Sequence, residues 1–262
     1  MVKKIYALVL LLFVVCSVTA NDLKNLSFDE LSKIATQKND SKAQYLLGLM
    51  YDEGESVKKD PSKAIQWYIK SASQGYAPAQ FNLGVLYEKG EGVQQDYKLA
   101  KEWYEKAALQ GDIDAQFNLG MLYDEGNGVE QDSVKAKQWY EKAAMQGDPE
   151  AQFNLGIMYS KGEGVEQDYN KAKEWYEKAA LQGYAPAQSN IASMYLEGNG
   201  VAQNHTIAKE WYEKAAQQNQ PEAQYNLGIM YENGNGTSKD TVMAEQWYQK
   251  ACENGLEHEK CH

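Results

Sequence analysis

Six tryptophans, Trp67, Trp103, Trp139, Trp175, Trp211 and Trp247, stand 36 residues apart, and the chain has no others. A fixed period of this length marks an architecture in which each unit is one supersecondary element stacked on the next. It overrides the one- or two-domain expectation that 262 residues would otherwise carry. The dipeptide Ala-Gln opens each unit, at Ala43, Ala79, Ala115, Ala151, Ala187 and Ala223. Six units in strict register follow: 43–78, 79–114, 115–150, 151–186, 187–222 and 223–258, with a short tail at 259–262.

Each unit reads as two helices. With the opening alanine as position 1, apolar residues recur at 1, 5, 8 and 9 (Ala115, Leu119, Leu122, Tyr123) and at 22, 25, 26, 29 and 30 (Ala136, Trp139, Tyr140, Ala143, Ala144). Both sets follow helical spacing, and neither alternates as a strand does. Position 18 (Asp60, Asp96, Asp132, Asp168, Asn204, Asp240) supplies an N-cap for the second helix. Position 33 is glycine, or Asn219 in the fifth unit, which suits a left-handed helix stop. All five prolines (Pro61, Pro78, Pro149, Pro186, Pro221) fall in a first helical turn, where the missing amide costs nothing. The glycine-rich link, as in Gly126-Asn127-Gly128, reads as a helix-terminating turn. It lacks the preceding strand and placed lysine of a phosphate-binding loop. One such hairpin cannot bury its apolar face alone, so the fold class is all-α, an α-solenoid of six 36-residue helix-turn-helix repeats.

The N-terminal residues read as an address. Lys3 and Lys4 precede an apolar run from Ile5 to Val15, and Val18-Thr19-Ala20 offers a cleavage site. That predicts a secretory signal peptide over 1–20, cut after Ala20, and a periplasmic or secreted product. The run is shorter than the ~20 residues of a spanning helix, so no membrane span is expected after cleavage. Residues 21–42 read as an N-terminal capping helix: Ser27 and Glu30 make a capping box, and Phe28, Leu31 and Ala35 match positions 22, 25 and 29 of a second helix. Net charge is −11 and every one of the 26 basic residues is lysine, which excludes nucleic acid as a partner and favours a basic one.

The composite pattern A-Q-x-N-L-G-x-x-Y…G-x-G-V…D…A-x-x-W-Y-x-K-A-A-x-Q-G closely resembles the Sel1-like repeat, a relative of the tetratricopeptide repeat. The resemblance covers 43–258. It implies a right-handed superhelix with a concave groove, and a non-enzymatic scaffold or adaptor for another protein. In this family some exported bacterial members bind cell-envelope partners. Others are immunity proteins that neutralise secreted effector toxins, including phospholipases. A cysteine-rich subgroup is associated with β-lactam binding and hydrolysis, so a β-lactam- or cell-wall-amide hydrolase is the alternative.

Two surfaces compete for the partner. On the second helix, Lys101/Glu105 and Glu102/Lys106 are four apart and recur from unit to unit, as a solvated face does. The first helix carries a second apolar stripe at position 3 (Tyr45, Phe81, Phe117, Phe153, Ser189, Tyr225) and position 7 (Leu49, Val85, Met121, Ile157, Ser193, Ile229). Such a stripe is either packed on both sides or presented to a partner. Position 4 adds an amide row, Asn82, Asn118, Asn154, Asn190 and Asn226, which either grips a bound chain or ties neighbouring helices. The candidate partner-binding residues are therefore Phe81, Asn82, Phe117, Asn118, Phe153, Asn154, Asn190, Tyr225 and Asn226. Positions 10 and 11 mix charges, and the fifth unit departs most, with Ser189, Ile191, Ala192, Ser193 and Leu196.

Little else carries chemistry. His205, His258 and His262 are the only histidines, and no catalytic constellation, cofactor site or metal site is expected. After signal cleavage two cysteines remain, Cys252 and Cys261, which in an oxidising compartment are expected to form a disulfide at the end of the stack. A capped stack is expected to be monomeric.

Overall fold

The computed structural model describes residues 23–258 and Lys260; residues 1–20, expected to be a signal peptide, lie outside the described residues. Among these residues there are thirteen α-helices and no strand. Two compact units meet at Tyr76/Ala77. The first holds a 3-10 turn (Leu23–Asn25), α1 (Phe28–Gln37), α2 (Ser41–Glu53) and α3 (Pro61–Ser73). The second holds α4 (Ala77–Lys89), α5 (Tyr97–Ala108), α6 (Ile113–Glu125), α7 (Ser133–Met145), α8 (Pro149–Lys161), α9 (Tyr169–Leu181), α10 (Ala185–Glu197), α11 (His205–Ala216), α12 (Pro221–Asn233) and α13 (Thr241–Glu253). Within each unit every helix packs on its neighbours in the chain, the arrangement of an all-α solenoid.

The third repeat shows how the sequence builds a hairpin. Asp112 caps α6 by accepting from the Ala115 amide at 2.9 Å. Helix α6 ends at Gly126, whose φ of 76° only glycine adopts without strain. The chain turns back, and the Asp132 amide donates to the Tyr123 carbonyl at 2.8 Å. Asp132 then caps α7 through the Lys135 amide at 3.0 Å. All six position-18 residues cap in this way. Asn219 takes the left-handed conformation, φ 63°, as the position-33 pattern requires. The first helix of each repeat starts two residues before Ala-Gln, and in three of them the cap carboxylate (Asp40, Asp112, Asp148) accepts from the amide of the opening alanine.

The buried core forms between the second helix of one repeat and the first helix of the next. Ala115, Leu119 and Leu122 of α6 cluster with Ala100, Tyr104, Ala107 and Ala108 of α5, and Ala136, Tyr140, Ala143 and Ala144 of α7 cluster with Ala151, Leu155 and Met158 of α8, all essentially buried. Gly120 lies directly against the Tyr140 ring: a Cβ there would stand 2.7 Å from Cδ1. The same glycine–tyrosine contact is made at Gly48/Tyr68, Gly84/Tyr104, Gly156/Tyr176 and Gly228/Tyr248. The fifth repeat carries Ala192 against Tyr212. There Ser189 stands where other repeats place an aromatic ring on the tyrosine.

Two further features differ from the sequence pattern. Position 25 was read as core, yet the tryptophans are half-buried: Trp139 packs on the cluster of the preceding α5 and α6, and Trp175 on that of α7 and α8. These two indoles are thus inter-repeat anchors, and a lysine lies over each: Lys142 over Trp139 at 3.5 Å and Lys178 over Trp175 at 3.7 Å. The glutamine at position 2, outside the apolar set, is buried. Gln116 is 5% exposed; its Nε2 donates to the Ala108 carbonyl at 3.0 Å and its Oε1 accepts from Gln146 at 2.8 Å. It ties the ends of α5 and α7, and Gln152, Gln188 and Gln224 repeat the contact.

The first unit closes on α1. Ser27 and Glu30 form the capping box. Leu31 and Ala35 are buried against Ala43 and Leu47, and Phe28 meets Tyr51 edge-on at 5.8 Å. Helix α1 therefore packs on α2 as the second helix of a repeat packs on the first helix of the next.

Two outcomes test this packing. Gly120→Ala should lower stability by about 1–3 kcal/mol, as overpacking does. Ala192→Gly should cost only about 0.5–1 kcal/mol from chain entropy; urea melts of the two variants separate these costs. Gln116→Ala removes one of the two donors to the Ala108 carbonyl, the Gly111 amide being the other, and should cost about 0.5–1.5 kcal/mol in the same assay.

Candidate functional site

In the second unit the candidate residues lie along α4, α6, α8, α10 and α12. Phe81, Phe117 and Phe153 are half-buried, each packed on the tyrosine of its own repeat: Tyr104, Tyr140 and Tyr176, with ring centroids 5.8, 5.8 and 5.7 Å apart. Such pairs contribute about 0.5–1.5 kcal/mol beyond area burial. Tyr225 packs on Tyr248 at 5.3 Å, and Ser189 interrupts the row. Val85, Met121 and Ile157 at position 7 join the phenylalanines against the core clusters. The second stripe is therefore packed on one side and half-exposed on the other.

The amide row is tied to the preceding repeat. Asn118 bonds the Tyr104 hydroxyl, Asn154 that of Tyr140, and Asn190 that of Tyr176. Asn82 and Asn226 are half-buried at the same position. On its other side each tyrosine meets position 10 of its own repeat. Tyr104 donates to Glu88, Tyr140 bonds Asp124, and Tyr248 donates to Glu232 at 2.7 Å. Carboxylate, tyrosine and amide thus form a seam that crosses from one repeat to the next. Sequence reasoning treated positions 4 and 10 separately and missed this link. Its only signal was the constant spacing of acid, tyrosine and asparagine.

Burial pushes the Tyr104 and Tyr140 hydroxyls well above the usual phenol range, and the adjoining carboxylates push them further. Both stay protonated and act as donors. The Asp124 carboxyl is raised by burial and then by Glu163 and Glu125 nearby.

The fifth repeat trades positions within this seam. Leu196 replaces the acid at position 10, and Tyr212 bonds Ser193 at position 7 instead. Polar and apolar residues have exchanged places, so the hydroxyl keeps a partner. Ser160 makes a similar reduction in the fourth repeat, facing Tyr176 at 3.4 Å. A small open cleft of about 250 Å3 lies beside Ser160, Tyr176, Asn190 and Ser193.

At the last repeat the tail takes the seam. Lys260 Nζ donates to the Tyr248 hydroxyl at 3.0 Å and pairs with Glu232 at 2.7 Å, where a following asparagine would otherwise come. His258 Nε2 meets the Tyr225 hydroxyl at 3.0 Å. Cys252 is half-buried in the last turn of α13; Cys261, and with it the expected disulfide, lies outside the described residues.

The other face carries ion pairs. Lys101–Glu105, Lys137–Glu141, Lys173–Glu177 and Lys209–Glu213 are 2.6–3.1 Å apart. Lys106, which the spacing paired with Glu102, lies over the Trp103 ring at 3.7 Å. Among the described residues no group of three or more His, Cys, Asp or Glu could hold a metal ion, and no helix is long and apolar enough to cross a membrane.

Comparison with known proteins agrees with this architecture. The structure of c5321, a protective antigen present in uropathogenic Escherichia coli strains, matches with a TM-score of 0.85 and 40% identity, covering 88% of this chain and 50% of that one. A Sel1 repeat protein from Oxalobacter formigenes matches with a TM-score of 0.76 and 34% identity, over 88% of this chain and 92% of that one. A sel1-like repeat-containing protein, L18, of Acanthamoeba polyphaga mimivirus is 55% identical over 42 residues, 16% of this chain and 7% of that protein. The chain thus spans half the length of the E. coli antigen and matches only a small part of the viral protein. The Sel1 repeat profile matches residues 41–76, 77–112, 113–148, 149–184, 185–220 and 221–256, each starting where the first helix starts. These matches tile most of the chain, and the protein belongs to the Sel1 repeat family.

Proposed function

We propose that this protein is an exported, non-enzymatic scaffold that holds another protein along the first-helix face. The residues are Phe81, Asn82, Phe117, Asn118, Phe153, Asn154, Asn190, Tyr225 and Asn226. The observation that carries this reading is the row itself: an aromatic and an amide recur, half-exposed, on the first helices α4, α6, α8 and α12 of one stacked unit. A periodic row of this kind suits an extended protein ligand better than a small molecule. Its most specific form is an immunity protein that neutralises a secreted effector such as a phospholipase. The net charge of −11 favours a basic partner and speeds encounter with it. In this reading the protein is periplasmic or secreted after cleavage behind Ala20, is monomeric and needs no cofactor.

Affinity capture from envelope extract supplies a partner, and two triple variants then test the face. Asn82, Asn118 and Asn154 to Ala should weaken binding at least tenfold, about 1.4 kcal/mol. Reversing Glu105, Glu141 and Glu177 to Lys should change it far less. Thermal melts accompany both, since Asn118 and Asn154 also hold tyrosines of the neighbouring repeat. Loss of binding in the glutamate variant alone, with both variants folded, overturns the assignment.

Export makes a separate prediction. Cys252 and Cys261 should be linked, so thiol labelling under denaturing, non-reducing conditions should modify neither. Replacing both with Ser should cost about 2–3 kcal/mol, because the closed loop is short.

A further inference from the structure

Leu109, Met145 and Leu181 are 71%, 74% and 79% exposed. They stand at position 31, at the C-terminal ends of α5, α7 and α9. In the other repeats this position is polar: Ser73, Gln217 and Glu253. Single exposed apolar residues are ordinary, but a row at one position of three stacked repeats forms a bounded strip.

Carboxylates accompany the row. The turns into α6 and α8 carry Asp112 with Asp114, and Asp148 with Glu150. The other repeats place Tyr76/Pro78, Tyr184/Pro186, Gln220/Glu222 and Leu256/His258 at these positions. The acidic pairs therefore occur only in the two turns that lie between the three apolar residues. Capping bonds to the Ala115 and Ala151 amides hold Asp112 and Asp148 in place. Asp114 and Glu150 are exposed. The field of Asp114 reaches Asp112, Asp148 and Glu150, so the two turns act as one electrostatic group, and all three carboxyls sit above their usual range through burial and this repulsion. Three lysines of the adjoining helices are engaged elsewhere: Lys101 with Glu105, Lys106 over Trp103 and Lys142 over Trp139.

We propose that this edge docks a cationic amphipathic segment of a protein partner, its apolar side chains on Leu109, Met145 and Leu181 and its lysines or arginines against the paired carboxylates of the two turns. Two features confined to the same three repeats carry the assignment, one supplying apolar area and the other uncompensated charge. The proposal shares with the scaffold reading only a protein ligand; the surface is a different one.

The test uses a fluorescein-labelled amphipathic peptide of leucine and lysine, followed by anisotropy at about 0.15 M salt, where surface charges are screened beyond ~8 Å. A second peptide replaces leucine with serine at equal charge. The protein should bind the first peptide and not the second. Leu109→Gln/Met145→Gln/Leu181→Gln and, separately, Asp114→Lys/Glu150→Lys should each weaken binding at least tenfold. These side chains are exposed, so circular dichroism should be unchanged. Val134→Gln/Val242→Gln, at exposed apolar residues outside the row, should bind like wild type, and the asparagine variant Asn82→Ala/Asn118→Ala/Asn154→Ala, checked for folding in the same way, is measured beside it. Equal binding of both peptides, or undiminished binding by the glutamine variant, overturns the docking edge. Loss confined to the asparagine variant also overturns it and assigns the peptide to the first-helix face. Leucine-row-dependent uptake on phosphatidylcholine vesicles, without peptide binding, overturns it in favour of a membrane.

Discussion

A tyrosine ring lying where a Cβ would stand fixes how closely the two helices of a repeat approach. Gly120 and Tyr140 make this contact in the third repeat, and equivalent pairs make it in all but the fifth. Much follows from that one approach. The ring is buried to the depth of the first helix, so its hydroxyl emerges beside position 10 of that helix, where Asp124 meets it. The same hydroxyl then reaches Asn154 of the next repeat. A steric fact inside one hairpin thus sets the polar contact between hairpins. The fifth repeat bears this out by departing from it. Ala192 comes with Ser189 in place of the aromatic ring, and Leu196 comes with Ser193, which restores a partner to the hydroxyl.

The buried glutamines and the tryptophans do the remaining stitching. Gln116 bonds a helix end in the preceding repeat and a side chain in its own, so it is satisfied only when both repeats are in place. Trp139 reaches back onto the preceding cluster, while Lys142 covers its outer face. A buried amide left short of partners costs about 1–3 kcal/mol. Slippage between repeats is penalised at each junction, which explains why a chain assembled from near-identical hairpins keeps one register.

The 36-residue period, the caps and the prolines made the helices legible in the sequence, because those signals are local. Asp132 caps α7 whatever lies next to it, and Ser27 with Glu30 announces α1 unaided. What stayed illegible involves partners 16 or 30 residues apart, such as Tyr104 with Glu88 or Gln146 with Gln116. Periodicity assigns residues to faces but not to partners across them. Gln116 lies outside the apolar set and is core, while Trp139 reads as core and is half-buried, because the neighbouring repeat decides both. On the candidate face, the phenylalanine and asparagine rows were legible as rows. That Asn118 is already bonded to Tyr104 was not.

That engagement bears on where binding energy would come from. An amide already bonded to a tyrosine exchanges one hydrogen bond for another when a ligand arrives, and the net gain is small. The phenylalanines are half-buried on their tyrosines, so only their remaining exposed surface is left to desolvate. Leu109, Met145 and Leu181 keep most of their surface in water, and full burial of such a side chain is worth about 1.5–3 kcal/mol. Carboxylates without lysine partners likewise gain from an incoming cation, whereas Glu105 has already paired with Lys101. Repeat-wide rows such as the seam are what every hairpin needs in order to stack. Features restricted to a few repeats are not needed for stacking, and that restriction is what separates a surface shaped for a partner from one shaped by the fold.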